Sequence, residues 1–245
     1  MDNEGIIEGR NAVIEALRSG VNIDKVFLSK GEVDSALKHI AGKARSAGAA
    51  VVEADRRKLD SMSQTGSHQG VIAIAAFTEY VSIEDILEKA RQKGEQPLIV
   101  VCDEISDPHN LGAIIRTSEG AGAHGVIIPK RRSAGVNATV AKASSGAVFH
   151  IAICRVANIT AALRELKKAG VWVYGASTDA EKSLWDSDFR GATALVIGSE
   201  GSGISRLVSE NCDHHVSIPM CGKLSSLNAS VSAAVLLYEA VRQRF

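Results

Sequence analysis

The chain has 245 residues, 45% of them hydrophobic, enough for one large core or two modest ones. Aromatic residues make up only 4%, which argues against a surface of stacked rings, and 28 basic residues balance 28 acidic ones, so net charge neither favours nor opposes a polyanionic partner. With no apolar run of membrane-spanning length and no secretory leader pattern, the expected location is the reducing cytoplasm, away from any membrane.

In chain order, residues 5–76 predict a small α/β unit. Residues 11–18 read as a short amphipathic helix closed by Ser19-Gly20, residues 25–29 as a strand, and residues 33–47 as a helix stopped by Gly48. Val51-Val52 opens a second strand, and residues 71–77 form a third. Residues 79–97 are polar, strongly charged and end at Gly94-Glu-Gln-Pro97. They are expected to be a linker carrying a helix-like patch over residues 82–93, dividing a first domain (1–78) from a second (98–245). A chain beginning near Gln96 is therefore expected to fold alone. Six short buried-strand candidates follow, at residues 98–102, 125–128, 151–154, 171–174, 194–197 and 215–218, separated by helical stretches. That pattern predicts an α/β fold with a parallel sheet and helices on both faces.

One familiar signature is present in the wrong context. Gly120-Ala-Gly122-Ala-His-Gly125 matches the dinucleotide fingerprint, but a helix precedes it and a strand follows, the reverse of the required order. It is read as a helix-ending loop, and an NAD-binding oxidoreductase is kept only as a weak alternative. The four cysteines, Cys102, Cys154, Cys212 and Cys221, have no C-x-x-C spacing. Cys212 with His214, His215 and Cys221 fits no common zinc pattern, and adjacent histidines on a strand face opposite ways, so no metal is expected.

Three stretches carry the chemistry. The first is Asp107-Pro-His-Asn-Leu-Gly-Ala-Ile-Ile-Arg116-Thr, the second Gly198-Ser-Glu-Gly-Ser-Gly-Ile204. The third is Ile218-Pro-Met-Cys-Gly-Lys-Leu-Ser-Ser-Leu-Asn-Ala-Ser-Val231, a strand end, a small-residue loop and an apolar helix entered through Ser225, Ser226 and Asn228. Each alone has a plain structural reading. Asn110 could cap a helix, Arg116 could be a surface charge, and Glu200 could cap Arg206 or the helix near Ser205. Together and in this order, they resemble the three signature motifs of the SpoU (TrmH-like) ribose 2′-O-methyltransferases of the SPOUT superfamily.

The resemblance covers roughly the last three-fifths of the chain and implies S-adenosyl-L-methionine as cofactor, a deep C-terminal trefoil knot and a homodimer. It makes Arg116 the principal catalytic candidate, with Asn110, Glu200, Ser226 and Asn228 beside it and Glu200 orienting Arg116 or Asn110. An arginine remains protonated in nearly every setting, so Arg116 suits holding a phosphate or hydroxyl and stabilising charge on oxygen better than acting as a free base. Gly198, Ile218 and Leu227 match the cofactor-contacting positions, and a glycine lets backbone approach a ligand. The N-terminal unit, through its stretches at Gly9-Arg10-Asn11 and His68-Gln69-Gly70, resembles the family's RNA-binding extension of the ribosomal protein L30e type.

Arg10, Arg56, Arg57, Lys58 and His68 are the RNA-contact candidates there, and Lys130, Arg131 and Arg132 form a second basic cluster; a solvated face is the blander reading of both clusters. The implied reaction is 2′-O-methylation of structured RNA, with a guanosine of large-subunit (23S) rRNA as target. A tRNA ribose methyltransferase and a non-catalytic RNA-binding module are the alternatives.

Overall fold

The computed structural model describes residues 5–31, 34–63, 65–75 and 78–245. The chain divides into two units, Met1–Glu79 and Tyr80–Phe245.

The first unit runs β1 (Ile6–Glu8), α1 (Arg10–Arg18), β2 (Ile23–Ser29), α2 (Ser35–Ser46), β3 (Ala50–Ala54), α3 (Arg56–Met62) and β4 (Val71–Ala75). Its sheet has the order β1-β4-β2-β3. The β2–β3 pair is parallel, while β4 runs antiparallel to β1 and β2. Asp34 starts α2 by accepting the Ala36 amide at 2.8 Å, and Val13, Ile40 and Leu37 close the core against Val26, Val51 and Val71. The helix start expected at Val33 and the strand end expected at Phe77 lie outside the described residues. Two elements were not foreseen. β1 has three residues, and α3 buries only Leu59, so neither carries enough apolar repeat for a period to register.

The second unit runs α4 (Ile83–Lys93), β5 (Leu98–Cys102), α5 (Pro108–Gly120), β6 (Gly125–Pro129), α6 (Ala138–Ala143), β7 (Ala152–Val156) and α7 (Ile159–Lys168). It continues through β8 (Trp172–Ala176), β9 (Thr193–Ile197), α8 (Arg206–Ser209), β10 (His214–Val216) and α9 (Ala229–Arg244). The six strands form one sheet in the order β10-β8-β9-β5-β6-β7, with every neighbouring pair parallel. The expected α/β fold with a parallel sheet is present. The glycine-rich match falls between the end of α5 and the start of β6.

The expected linker is corrected. Ile83–Lys93 is a complete helix, α4, entered through a capping box, Ser82 N–H donating to Asp85 at 2.8 Å and Asp85 N–H to Ser82 Oγ at 3.1 Å, and Gly94 ends it at φ +67°. Ile83, Ile86, Leu87 and Ala90 are buried, and all but Ala90 belong to the same core cluster as Ile99, Val101 and Ile127. At Gly125 the Ile86 side chain occupies the space a Cβ would need. The charges that suggested a linker lie on the outer face of α4, and its i, i+3, i+4, i+7 stripe belongs to the second unit's core.

The start of β5 is held from two sides. His124 is buried, its Nδ1 accepts the Leu98 amide at 3.0 Å, and its Nε2, which must then carry the proton, faces Glu95 at 3.1 Å. At the end of α9, the Arg244 guanidinium donates to the carbonyls of Phe189, Gln96, Pro97 and Gly191.

Burial lowers the His124 pKa, with Glu95 opposing the shift. The stability His124 contributes is therefore full above its ordinary value near 6.5 and is lost as pH falls through the lower folded value, because the unfolded chain takes up the proton first. Urea midpoints should fall between pH 7.5 and pH 5, with a shallower fall in His124→Gln. Equal slopes in the two proteins would refute this.

Candidate active site

The three signature stretches meet beyond the carboxyl ends of β5, β9 and β10 in the parallel sheet, where open α/β sheets place their ligands. Asp107 caps α5 by accepting the His109 amide at 2.9 Å, with Pro108 in its first turn. The capping role considered for Asn110 therefore belongs to Asp107. Asn110 lies within the first turn, and its side-chain amide donates to Glu200 Oε1 at 2.9 Å. The Asn228 amide donates to Asn110 Oδ1 at 3.0 Å and also to Glu200. Asn228 Oδ1 meanwhile caps α9, accepting the Ser230 and Val231 amides at 2.9 and 3.3 Å. One side chain from each stretch thus joins a single hydrogen-bonded cluster.

Glu200 occupies a tight turn following β9, closed by reciprocal backbone hydrogen bonds between Ser199 and Gly203 at 3.0 and 2.9 Å. A Cβ at Gly198 would collide with the backbone of Gly203 and Ile204. Gly198 is thus required by the loop folding back on its own strand, a reason different from the ligand approach expected. The capping roles considered for Glu200 are filled elsewhere. Arg206 pairs with Glu210 at 2.5 Å, and buried Asp103, at the end of β5, accepts the Ser205 amide at 2.7 Å.

This turn forms one wall of a cleft of about 500 Å³, which Gly198, Ile218, Leu227, Ser226 and Glu200 all line. Its floor is the carboxyl ends of β8, β9 and β10 at Ala176, Ile197 and Val216, and α9 contributes Ala229 and Ser232. Main-chain-rich glycine and serine segments alternate with apolar side chains, and among the described residues no lysine or arginine lines the cleft. Ser177, Thr178 and Asp179, in the loop after β8, also line it and were not foreseen. Their signal was legible, since they follow a parallel strand at its carboxyl end. His215 lines the cleft too, with Nε2 2.8 Å from Ser209 Oγ.

Arg116 is placed apart. It lies six residues beyond Asn110, about 9 Å along the helix axis and roughly a third of a turn around it. It is exposed, and among the described residues nothing hydrogen-bonds or pairs with it. Glu200 therefore engages Asn110 and not Arg116. Behind α5, Gly112 lets α6 approach so closely that a Cβ would strike Ala143.

The basic candidates separate by environment. Arg56, Arg57 and Lys58 are exposed in the first turn of α3. Lys130, Arg131 and Arg132 follow β6; Arg131 is exposed, and Arg132, held at φ +56°, reaches Glu104 at 3.2 Å. Arg10 is engaged within its unit, pairing with Asp34 at 2.6 Å and donating to the Gln69 carbonyl at 3.1 Å.

His68 is corrected as an RNA contact. It is buried, its Nδ1 accepts the Gly70 amide at 3.0 Å, and its Nε2 lies 2.9 Å from Asp60. Both nitrogens serve the fold. Cys212, whose thiol is pushed up to about 12 by burial, lies 3.4 Å from the Val208 carbonyl, and the His214 ring stacks near Trp172 and Tyr174.

Residues 97–238 match the SpoU rRNA methylase family, and residues 6–81 match the RNA 2′-O ribose methyltransferase substrate-binding family. The chain belongs to the SpoU methylase family. Among its SpoU relatives, the putative TrmH family tRNA/rRNA methyltransferase YacO of Bacillus subtilis (strain 168) is 45% identical over 236 residues, covering 96% of this chain and 94% of its own. The 23S rRNA (guanosine-2′-O-)-methyltransferase RlmB of Ralstonia nicotianae is 42% identical over 246 residues, covering 100% and 98%. The crystal structure of the SpoU methyltransferase AviRb from Streptomyces viridochromogenes, solved in complex with AdoMet, superposes with a TM-score of 0.62 at 26% identity, covering 98% of this chain and 90% of that one.

Proposed function

We propose that this SpoU protein methylates a ribose 2′-hydroxyl of structured RNA using S-adenosyl-L-methionine, with a guanosine of 23S rRNA as target. The observation that carries the reading is the convergence of Gly198, Ile218 and Leu227 on one cleft that Glu200 joins to Asn110 and Asn228. The cleft suits the cofactor. Ile218, Leu227 and Val216 offer apolar walls to an adenine, glycine and serine main chain offers polar groups, and among the described residues no lysine or arginine lines the cleft to oppose a sulfonium.

When bound, the cofactor supplies an electrophilic methyl carbon. The chain's own residues hold the ribose: the Asn110–Glu200–Asn228 cluster is a rigid polar surface, and Ser226 presents a hydroxyl donor and acceptor at the cleft. Arg116 would hold a substrate phosphate or the hydroxyl in line and stabilise the negative charge that develops on O2′ as its proton passes to solvent, methyl transfer leaving the cofactor as its neutral thioether.

Residues 1–78, a unit of the L30e type, bind RNA, with Arg56, Arg57 and Lys58 as phosphate contacts. Residues 98–245, together with α4, form the catalytic domain, whose C-terminal segment follows a deep trefoil knot. The protein acts in the cytoplasm as a homodimer. Supporting the dimer, α9 leaves Val231 and Tyr238 exposed and Val235 half-buried, an i, i+4, i+7 apolar stripe. Sedimentation at micromolar concentration should give twice the chain mass of 25.8 kDa; a clean monomer would contradict it.

Gly198→Ala is expected to lower stability by about 1–3 kcal/mol, because the loop backbone must move, and to weaken S-adenosylmethionine binding. Unchanged melting and affinity would refute the role given to that turn. The function itself is tested by mapping ribose methylation in total RNA from cells with and without the gene. A missing mark in 23S rRNA supports the reading, a missing mark in tRNA redirects it, and no missing mark favours a non-catalytic RNA-binding protein.

A further inference from the structure

The first unit holds a groove of about 590 Å³ between the last turns of α1 and α2, lined by Leu17, Arg18, His39, Gly42, Lys43 and Ser46 among others. On α2, residues 39, 42, 43 and 46 share one face by helical spacing. Among the described residues, no acidic side chain lines the groove. Among the described residues, Arg18, His39 and Lys43 have no ion-pair or hydrogen-bond partner for their side chains, and neither do Lys38 and Arg45 nearby on α2. Arg10, in contrast, is paired with Asp34. Cations near helix C-termini complement the carbonyl end of the helix dipole, which accounts for their presence on these helices. It does not account for their gathering around one shallow surface that, among the described residues, no acidic side chain lines.

Gly42 adds an independent observation. It lies in the interior of α2, where glycine is unfavourable relative to alanine. Its position is exposed, and a Cβ built there meets nothing within 4 Å, so no packing within the chain requires a glycine. An open floor flanked by Arg18 and Lys43 is what a sugar–phosphate backbone needs to approach closely.

We propose that the α1–α2 groove is an RNA-backbone site, in which Arg18 and Lys43 contact successive phosphates, His39 hydrogen-bonds the sugar–phosphate chain, and Gly42 keeps the floor clear. This rests on the RNA substrate proposed above. It assigns the main contact surface of the first unit to a face whose residues differ from the Arg56–Lys58 cluster.

The test uses the full chain and protein-free 23S rRNA, with affinity measured across a salt series for the parent, the double variant Arg18→Glu/Lys43→Glu, and Gly42→Leu. The double variant should bind at least about tenfold more weakly, with the slope of log affinity against log salt reduced by about 1.5–2. Gly42→Leu, which changes no charge and improves helix propensity, should weaken binding several-fold with the slope unchanged. S-adenosylmethionine affinity should be the same in all three. Parent-like RNA binding in both variants would overturn the groove alone. Absence of RNA binding by the parent would overturn the RNA substrate, and this site with it. Weakened binding to intact ribosomal subunits but not to protein-free RNA would assign the groove to an acidic protein surface, and likewise overturn the proposal.

Discussion

Arg116→Ala should reduce methyl transfer by about 10²–10³-fold or more, the loss seen when a charge-stabilising donor is removed from a transition state, while S-adenosylmethionine affinity stays within a few-fold of the parent. Arg116 lies outside the cleft lined by Gly198, Ile218 and Leu227, so cofactor binding does not depend on it. It is exposed and makes no bond among the described residues, so its removal should leave the melting temperature unchanged. Arg116→Lys should fail as well, because a point charge cannot replace a planar two-pronged donor. Single-turnover transfer of labelled methyl, alongside equilibrium cofactor binding, separates these effects. A hundredfold loss of cofactor affinity in Arg116→Ala would overturn the division of roles. Glu200→Ala should behave differently, because that carboxylate both lines the cleft and receives the Asn110 and Asn228 amides.

The second large effect concerns the boundary between the units. A chain beginning at Gln96 lacks α4 and uncovers the core that Ile83, Ile86 and Leu87 close. Each such side chain contributes about 1.5–3 kcal/mol when fully buried, so the three approach the whole stability of a typical domain, about 5–15 kcal/mol. That chain should aggregate or lack a cooperative melt. One beginning at Tyr80 retains α4, the 3.4 Å contact from the Val136 amide to the Tyr80 hydroxyl, and the Arg155 guanidinium 4.5 Å from the Tyr80 ring. It should fold, bind S-adenosylmethionine and lose most activity on structured RNA, since residues 1–78 are absent. Circular dichroism melts of the two chains decide the matter, and an equally cooperative melt from the Gln96 chain would refute the role of α4.

Much of the second unit was legible because a buried parallel strand announces itself locally. Stretches such as Leu98–Cys102 and Ala194–Ile197 are continuous apolar runs, and each of the six strands overlaps one of the six expected stretches. The failure at residues 79–97 came from weighing the charges of α4 above its apolar stripe, although Ser82 and Asp85 already spelled a capping box. In the first unit, the patterns at Arg10 and His68 were visible, but their partners were not. Asp34 lies 24 residues from Arg10, and the His68 ring is committed to Asp60 and the Gly70 amide by the way the loop closes.

The candidate site divides in the same way. Sequence by itself singled out Asn110, Glu200 and Asn228 as candidates, because they stand in three recognisable stretches, each beside a strand end or helix start that local pattern reveals. Only the tertiary structure decided that these three side chains meet, across separations of 90 and 118 residues, and that Arg116 lies apart on the same helix. Strand order decides this. Placing β9 between β8 and β5, with β10 at the edge beside β8, brings three loops distant in sequence to one end of the sheet. Hydrophobic periodicity specifies which residues are buried within an element, but not which elements become neighbours.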